Sequence, residues 1–199
     1  DQIWNPNFQG LDPAYYLKFA PPHKRIAYAP SIGTTSINEN QKKIIKQNLE
    51  GMIHISVREK SGAKLIADII RKDVKNVLDP TLLMPTDWWD KFAEQKKSEK
   101  PYVLTFLFDN SKYPRKVAKE IAQRYGYEII SIPDSFADIF LKCRKEIATG
   151  PKRFVSLFKN ASFVCTQSFH GVVLSIIFKR QFYAFNRDMK GAGQVYSLE

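Results

Sequence analysis

Cysteine and histidine are scarce in this sequence, which has two cysteines and three histidines among its 199 residues. Cys143 and Cys165 lie far apart, form no Cys-x-x-Cys pair and have no cluster of histidines beside them. Because zinc sites and disulfide frameworks need such spacings, the sequence indicates neither, and we expect no metal site. We also expect no cofactor. So few cysteines fit a reducing, cytoplasmic compartment.

Long apolar runs are also missing. No segment approaches the roughly 20 consecutive apolar residues that a membrane-spanning helix needs, and the first residues do not resemble a signal peptide. We therefore expect no transmembrane segment, and peripheral association with a membrane stays open.

Acidic residues are in deficit, and the net charge is +11. Residues 1–99 hold 15 Lys and Arg against 12 Asp and Glu, whereas residues 100–199 hold 16 against 8. A basic excess of this kind fits nucleic acid, an anionic membrane surface or small anionic ligands. The sequence has no aromatic and basic RNA-binding pattern and no DNA-recognition helix. We expect no nucleic-acid partner, and we interpret the excess as serving a small anion.

The chain alternates between strand and helix patterns, which predicts an α/β fold. In the first half we predict strands at 24–30, 53–59 and 76–78, and helices at 40–52 and 61–72. A polar stretch at 94–101 indicates the passage to a second domain. We therefore assign residues 1–99 to one domain and residues 100–199 to another.

The second half begins with the apolar run 102–108, which is typical of a strand buried on both faces of a parallel sheet. We predict further strands at 127–132, 162–165 and 181–185, and helices at 113–125, at 135–149, from residue 150 and from residue 171. The sequence thus predicts two Rossmann-like units, each built on a parallel sheet.

One histidine stands where α/β proteins bind ligands. The apolar strand 162–165 runs into Thr-Gln-Ser and then into an apolar helix, which places His170 at the carboxyl edge of a sheet. Anions bind beside the first N–H groups of such a helix, and an imidazole exchanges protons near neutral pH. The alternative is a packed, hydrogen-bonded histidine with no chemical role.

Other polar residues follow the same rule, since each lies just past a predicted strand. They are Ser31, Gly33, Arg58, Asp79, Thr81, Asp109, Asn110, Asp134 and Arg187. The Arg58 guanidinium suits bidentate binding of a carboxylate or phosphate; the alternative is an ion pair with Glu59 or another neighbour. We expect Arg58 and His170 to face one cleft.

Trp88 and Trp89 precede the polar passage between the predicted domains. Two interpretations of this pair stay open. The indoles stack on a sugar, or they pack between the domains.

Seven short motifs follow one another over nearly the whole chain. They occupy residues 1–6, 15–19, 25–33, 55–59, 77–83, 150–151 and 168–171. Each is weak alone, but in order and spacing the series resembles the polysaccharide pyruvyl transferase family. The resemblance implies an architecture similar to type-B glycosyltransferases, phosphoenolpyruvate as the pyruvyl donor, and a glycan or lipid-linked sugar as the acceptor. Family members usually carry further βα units, so we expect the first domain to be incomplete in this chain.

The resemblance also places a donor-binding cation at about Lys190, near Arg187. We predict that His170 is catalytic and that the substrates are bound by Arg58, Lys190, Arg187, Ser168, Gly171, Ser31 and Gly33. Transfer of the enolpyruvyl carbon to two sugar hydroxyls needs an acid for the methylene carbon and cations for the donor. Two alternatives stay open: a nucleotide-sugar-dependent glycosyltransferase and a catalytically silent domain.

Overall fold

The computed structural model describes residues 2–95, 100–135, 138 and 141–186. This part of the chain forms two compact units that divide between Pro80 and Thr81. Each unit is built on a parallel sheet, with three strands in the first and five in the second. The α/β class is therefore confirmed, and the two sheets are compatible with Rossmann-like units.

The first unit has the strand order β1-β2-β3. Its elements are β1 (Ile26–Ala27), α1 (Glu39–Leu49), β2 (His54–Val57), α2 (Lys60–Ile70) and β3 (Lys75–Asn76), with 3-10 helices at Pro13–Tyr16 and Pro22–Lys24 before β1. Helix α1 begins with a capping box, in which the Asn38 side chain accepts from the Gln41 N–H and the Gln41 side chain accepts from the Asn38 N–H.

The apolar sides of both helices pack against this sheet. Ile45 of α1 and Ile66 of α2 are fully buried together with Val57 of β2. The segment before β1 joins the same core, because the Trp4 ring stacks on Tyr16 with ring centroids 5.0 Å apart. These buried side chains supply the hydrophobic free energy that holds the first unit together.

The second unit has the strand order β6-β5-β4-β7-β8. Its elements are α3 (Thr86–Phe92), β4 (Tyr102–Leu107), α4 (Lys112–Tyr125), β5 (Glu128–Pro133), β6 (Arg144–Lys145), α5 (Pro151–Asn160), β7 (Phe163–Thr166), α6 (Phe169–Ile177) and β8 (Gln181–Ala184). The chain leaves the central strand β4 toward β6 on one side and returns to β7 on the other. Ligands of such sheets bind where the direction changes, which here is the carboxyl end of β4 and β7.

Strand β4 is buried on both faces of its sheet, as the sequence predicts. Tyr102 and Leu104 point to a core that also contains Val155 of α5 and Leu174 of α6. Val103 points to the opposite core, against α4. The alternation of side chains along one strand thus joins two layers of helices to a single sheet.

The helix predicted over residues 135–149 is wrong over residues 141–149. Asp138 is helical, and residues 136–137 and 139–140 lie outside the described part of the chain. Arg144–Lys145 forms the edge strand β6, which pairs in parallel with β5. Glu146 follows directly and accepts hydrogen bonds from Arg144 and Arg153 at 2.6 and 2.5 Å. These ion pairs tie the end of β6 to the start of α5, and apolar spacing alone does not reveal them.

Helix α3 is a second difference, because the sequence analysis assigned no helix to the region around Trp88 and Trp89. It begins after Pro85 with Asp87 in its first turn, which favours a helix start. Trp89 and Phe92 pack on the core of the second unit. The division between the compact units therefore lies at Pro80 and Thr81, before α3, whereas the predicted passage lies at 94–101.

Within the described residues, no helix combines the length and the apolar character needed to cross a membrane. The same residues include no group of three or more His, Cys, Asp or Glu side chains arranged to hold a metal ion.

Candidate functional site

The turn between β7 and α6 holds His170 at the topological switch point of the second sheet. Strand β7 ends at Thr166, Ser168 is the N-cap of α6, and His170 is the second residue of the helix. The Ser168 hydroxyl accepts a hydrogen bond from the Gly171 N–H at 3.3 Å, which is the usual stabilisation of a helix start. The imidazole is half-buried and lies 5.3 Å, centroid to centroid, from the Phe169 ring.

Gln167 ties together the carboxyl ends of three strands. Its backbone N–H donates to the Phe106 carbonyl oxygen at 3.0 Å, and its side-chain oxygen accepts from the Phe108 N–H at 2.8 Å. Its Nε2 donates to Asp109 Oδ2 at 2.7 Å and to the Asn186 carbonyl oxygen at 3.2 Å. This buried residue is not among the predicted site residues, although a polar amide directly after an apolar strand is a usable signal.

Thr166 and Gly171 fix the distance between strand and helix. Thr166 Oγ1 donates to the Phe106 carbonyl oxygen at 3.1 Å and accepts from the Ser168 N–H at 3.0 Å. A Cβ atom on Gly171 would lie 2.4 Å from that oxygen, so only glycine fits. The structure therefore gives Ser168 a capping role and Gly171 a packing role, and their binding of substrate stays a prediction.

An aromatic hollow lies beside His170 in the second unit. Its volume is about 380 Å³, and its lining includes Trp88, Trp89, Phe92, Phe154, His170 and Leu174. Three elements form it, namely α3, the start of α5 and α6. Both tryptophans that the sequence analysis singled out therefore contribute to this wall.

The aromatic rings of α3 are packed in fixed orientations. Trp88 stacks on Phe92 with centroids 5.2 Å apart and planes inclined by 9°, and it meets Trp89 edge-on at 5.0 Å. Trp89 Nε1 donates to the Thr81 carbonyl oxygen at 3.1 Å. Trp88 keeps 40% of its surface exposed, although it is a large apolar side chain.

The Arg153 side chain at the start of α5 forms an ion pair with Glu146 of the same unit. Glu146 accepts from Arg153 Nε at 3.1 Å and from Nη2 at 2.5 Å. The hydrogen bonds from Arg153, more than those from Arg144, lower the pKa of the Glu146 carboxyl. Within the part of the chain that the structure describes, His170 is the one ionisable side chain that lines the hollow.

In the first unit, Arg58 takes part in a buried cluster of charges. Its Nη1 donates to Asp79 Oδ2 at 2.7 Å, and its Nε lies 4.0 Å from Glu59 Oε1. The Ser31 hydroxyl donates to the same Glu59 oxygen. All four side chains are at least nine-tenths buried. Arg58 thus makes a buried ion pair with Asp79. Its contact with a substrate stays a prediction.

Ser31 and Gly33 hold the segment before β1. The Ser31 carbonyl oxygen accepts from the Trp4 N–H at 3.2 Å. Gly33 has a φ of +60°, and a Cβ there would lie 2.8 Å from Asn5 Nδ2 and from the Gln2 side chain. Glycine adopts this left-handed conformation without steric cost. Substrate binding by Ser31 and Gly33 stays a prediction.

Arg187 and Lys190, the predicted donor-binding cations after the last strand, lie outside the described residues. Their predicted role rests on the sequence alone.

A family model described as polysaccharide pyruvyl transferase matches residues 3–189. Comparisons with curated proteins and with solved structures found no match. The family match spans both compact units and includes the β7–α6 turn with His170. The chain therefore belongs to the polysaccharide pyruvyl transferase family.

Proposed function

We propose that this protein transfers a pyruvyl group from phosphoenolpyruvate to two hydroxyls of a sugar, which leaves the pyruvate as a ketal. The observation that carries the proposal is the position of His170. It is half-buried in the first turn of α6, at the switch point of a five-stranded parallel sheet. Membership of the family supports a transferase that acts in polysaccharide modification.

The chemistry needs one group that both gives and takes a proton. In the proposed sequence, the His170 imidazolium protonates the methylene carbon of the donor, which becomes a methyl group and leaves positive charge at C2. A sugar hydroxyl then bonds to C2 and gives its proton to the imidazole. The bond between C2 and the phosphate oxygen breaks, the second hydroxyl bonds to C2, and its proton leaves with the phosphate. Atoms and charge balance without an oxidant or a reductant.

The donor carries a carboxylate and a phosphate, so the proposal also needs cations. The start of α6 supplies a positive dipole end beside His170. Arg58, Arg187 and Lys190 are the proposed donor-binding cations. Arg58 already neutralises Asp79, so its use in donor binding is the part of this set that experiment has to decide.

The proposal is tested by incubating the protein with phosphoenolpyruvate and a panel of glycosides, and by measuring released phosphate and the mass of the glycoside. We expect His170→Ala and His170→Gln to lose at least about 100-fold in rate, because they lack the proton shuttle. His54→Ala is the matched control, since His54 is exposed on β2 of the first unit.

Near-normal turnover by a folded His170→Ala protein would overturn the role of His170. Turnover with a nucleotide sugar, competition by uridine diphosphate and no turnover with phosphoenolpyruvate would identify a glycosyltransferase instead.

A further inference from the structure

The hollow beside His170 has the size and the walls of a ligand site. Ligand sites in proteins are concave, mostly apolar and typically measure roughly 300–1,000 Å³. At about 380 Å³, this hollow falls in that range, and its walls are almost wholly apolar. It therefore has room for a small ligand. The charge and shape of its walls indicate which of the two substrates, the donor or the sugar, binds there.

The charge of the hollow does not suit the anionic donor. Placing a carboxylate or a phosphate against apolar walls without a cation is costly. Among the described residues, those that line the hollow include no lysine and no arginine, and Arg153 at the start of α5 is bound to Glu146. The neutral substrate of the reaction, which is the sugar, meets no such penalty.

The aromatic rings suit a sugar ring in shape. A pyranose has C–H groups on its faces and hydroxyls around its rim. Trp88 and Phe92 have nearly parallel planes, and Trp88 is 40% exposed, so an apolar face of a pyranose gains dispersion contacts and buries surface there. His170 lines the same hollow, so hydroxyls at the rim of that ring would be presented to an imidazole.

We propose that this hollow is the acceptor subsite: it binds the apolar face of a pyranose ring, and Trp88 determines its affinity. The assignment rests on the proposed function, because it names the acceptor as the neutral substrate. The other occupant with suitable chemistry is the alkyl chain of a lipid-linked sugar, and the experiment separates the two.

The test compares Trp88→Leu with Trp88→Phe in the full chain. Leucine keeps an apolar side chain and removes the aromatic face, whereas phenylalanine restores a ring. Tyr125→Leu is the matched control, because Tyr125 is an exposed aromatic residue of the same unit outside the hollow. Circular dichroism and thermal unfolding establish that each variant is folded.

Binding is measured by calorimetry with methyl β-D-glucopyranoside, methyl β-D-galactopyranoside and methyl β-D-mannopyranoside. We expect at least one glycoside to bind saturably, Trp88→Leu to weaken that binding about 3- to 10-fold, and Trp88→Phe and Tyr125→Leu to stay within about twofold of the wild type. In the transfer assay, Trp88→Leu should raise the KM for the glycoside by the same factor and leave the KM for phosphoenolpyruvate unchanged.

The two proposals fail separately. If no pyruvyl group is transferred but a glycoside binds in a Trp88-dependent way, the hollow stands as a pyranose-binding site and the proposed reaction fails. If transfer occurs and Trp88→Leu has the wild-type KM for the glycoside, the subsite is wrong and the reaction stands. Binding of octyl β-D-glucopyranoside through Trp88, with no binding of any methyl glycoside, assigns the hollow to an alkyl chain and overturns the subsite.

Discussion

Replacement of Gly171 by alanine tests how tightly α6, and with it His170, is held to the sheet. The added Cβ would lie 2.4 Å from Thr166 Oγ1 and 3.1 Å from both Thr166 Cβ and Cγ2. Real Cβ contacts do not come so close, so the helix start or the Thr166 side chain must move. Thr166 is fully buried. Its Oγ1, which the added Cβ would contact, makes two hydrogen bonds.

The expected cost follows from these contacts. An extra methyl group in a well-packed core costs about 1–3 kcal/mol, and each hydrogen bond that Thr166 gives up costs about 0.5–1.5 kcal/mol. The substitution also stabilises the helix by up to about 1 kcal/mol, because alanine has a higher helix propensity than glycine. We expect Gly171→Ala to lower the free energy of unfolding of the second unit by about 1–3 kcal/mol, and to lower turnover because His170 is displaced.

Urea unfolding followed by tryptophan fluorescence measures this loss, since Trp88 and Trp89 lie in the second unit. Gly150→Ala is the matched control: a Cβ there has no atom within 4 Å, so the change should stay within about 1 kcal/mol. Adding Thr166→Ala to Gly171→Ala removes the clashing oxygen, and the double variant should lose less than the two single losses together. A Gly171→Ala protein as stable and as active as the wild type would refute the reasoning.

Two further predictions concern Arg58 and the cysteines. Arg58→Lys keeps the charge but loses the planar donor geometry of the guanidinium. Calorimetry should therefore show that a folded variant binds phosphoenolpyruvate at least about tenfold more weakly. Unchanged affinity would leave Arg58 with only its structural role in the ion pair with Asp79. Iodoacetamide at about pH 8 should label Cys143 before Cys165, because Cys143 is partly exposed and Cys165 is fully buried. Burial also raises the pKa of the Cys165 thiol to about 12, which keeps its thiolate fraction very small at that pH. Equal labelling rates in the native protein would contradict this.

Local patterns were sufficient to predict most of the sheet. The apolar run of β4 predicted burial on both faces, and the apolar spacing of α1 and α2 placed those helices within a few residues of where they lie. The failures have a shared cause. Strand β6 is held by ion pairs of Glu146 with Arg144 and Arg153, and α3 by packing of its aromatic rings on a distant core. Neither kind of contact leaves a periodic signal in the sequence.

The same limit applies to the candidate site. The rule that polar residues after strands gather at a ligand site selected His170, but it also selected residues that build the scaffold. Asp109 binds the Gln167 amide and the Ser111 N–H, and Ser31 binds Glu59. The rule predicts the edge of the sheet on which a residue lies, but it does not predict which group its side chain contacts.

The scaffold explains why one residue of that set is suited to chemistry. An acid and base must be held in position, yet must reach a substrate. Gln167 binds the neighbouring strand ends and Ser168 caps the helix, so the backbone on both sides of the turn is fixed without the imidazole. Thr166 and Gly171 set the helix against the sheet at a spacing that admits no further atom. His170 extends from this rigid turn along an aromatic hollow, and the packing of its neighbours therefore prepares the geometry that the proposed proton transfer from a sugar hydroxyl to the imidazole needs.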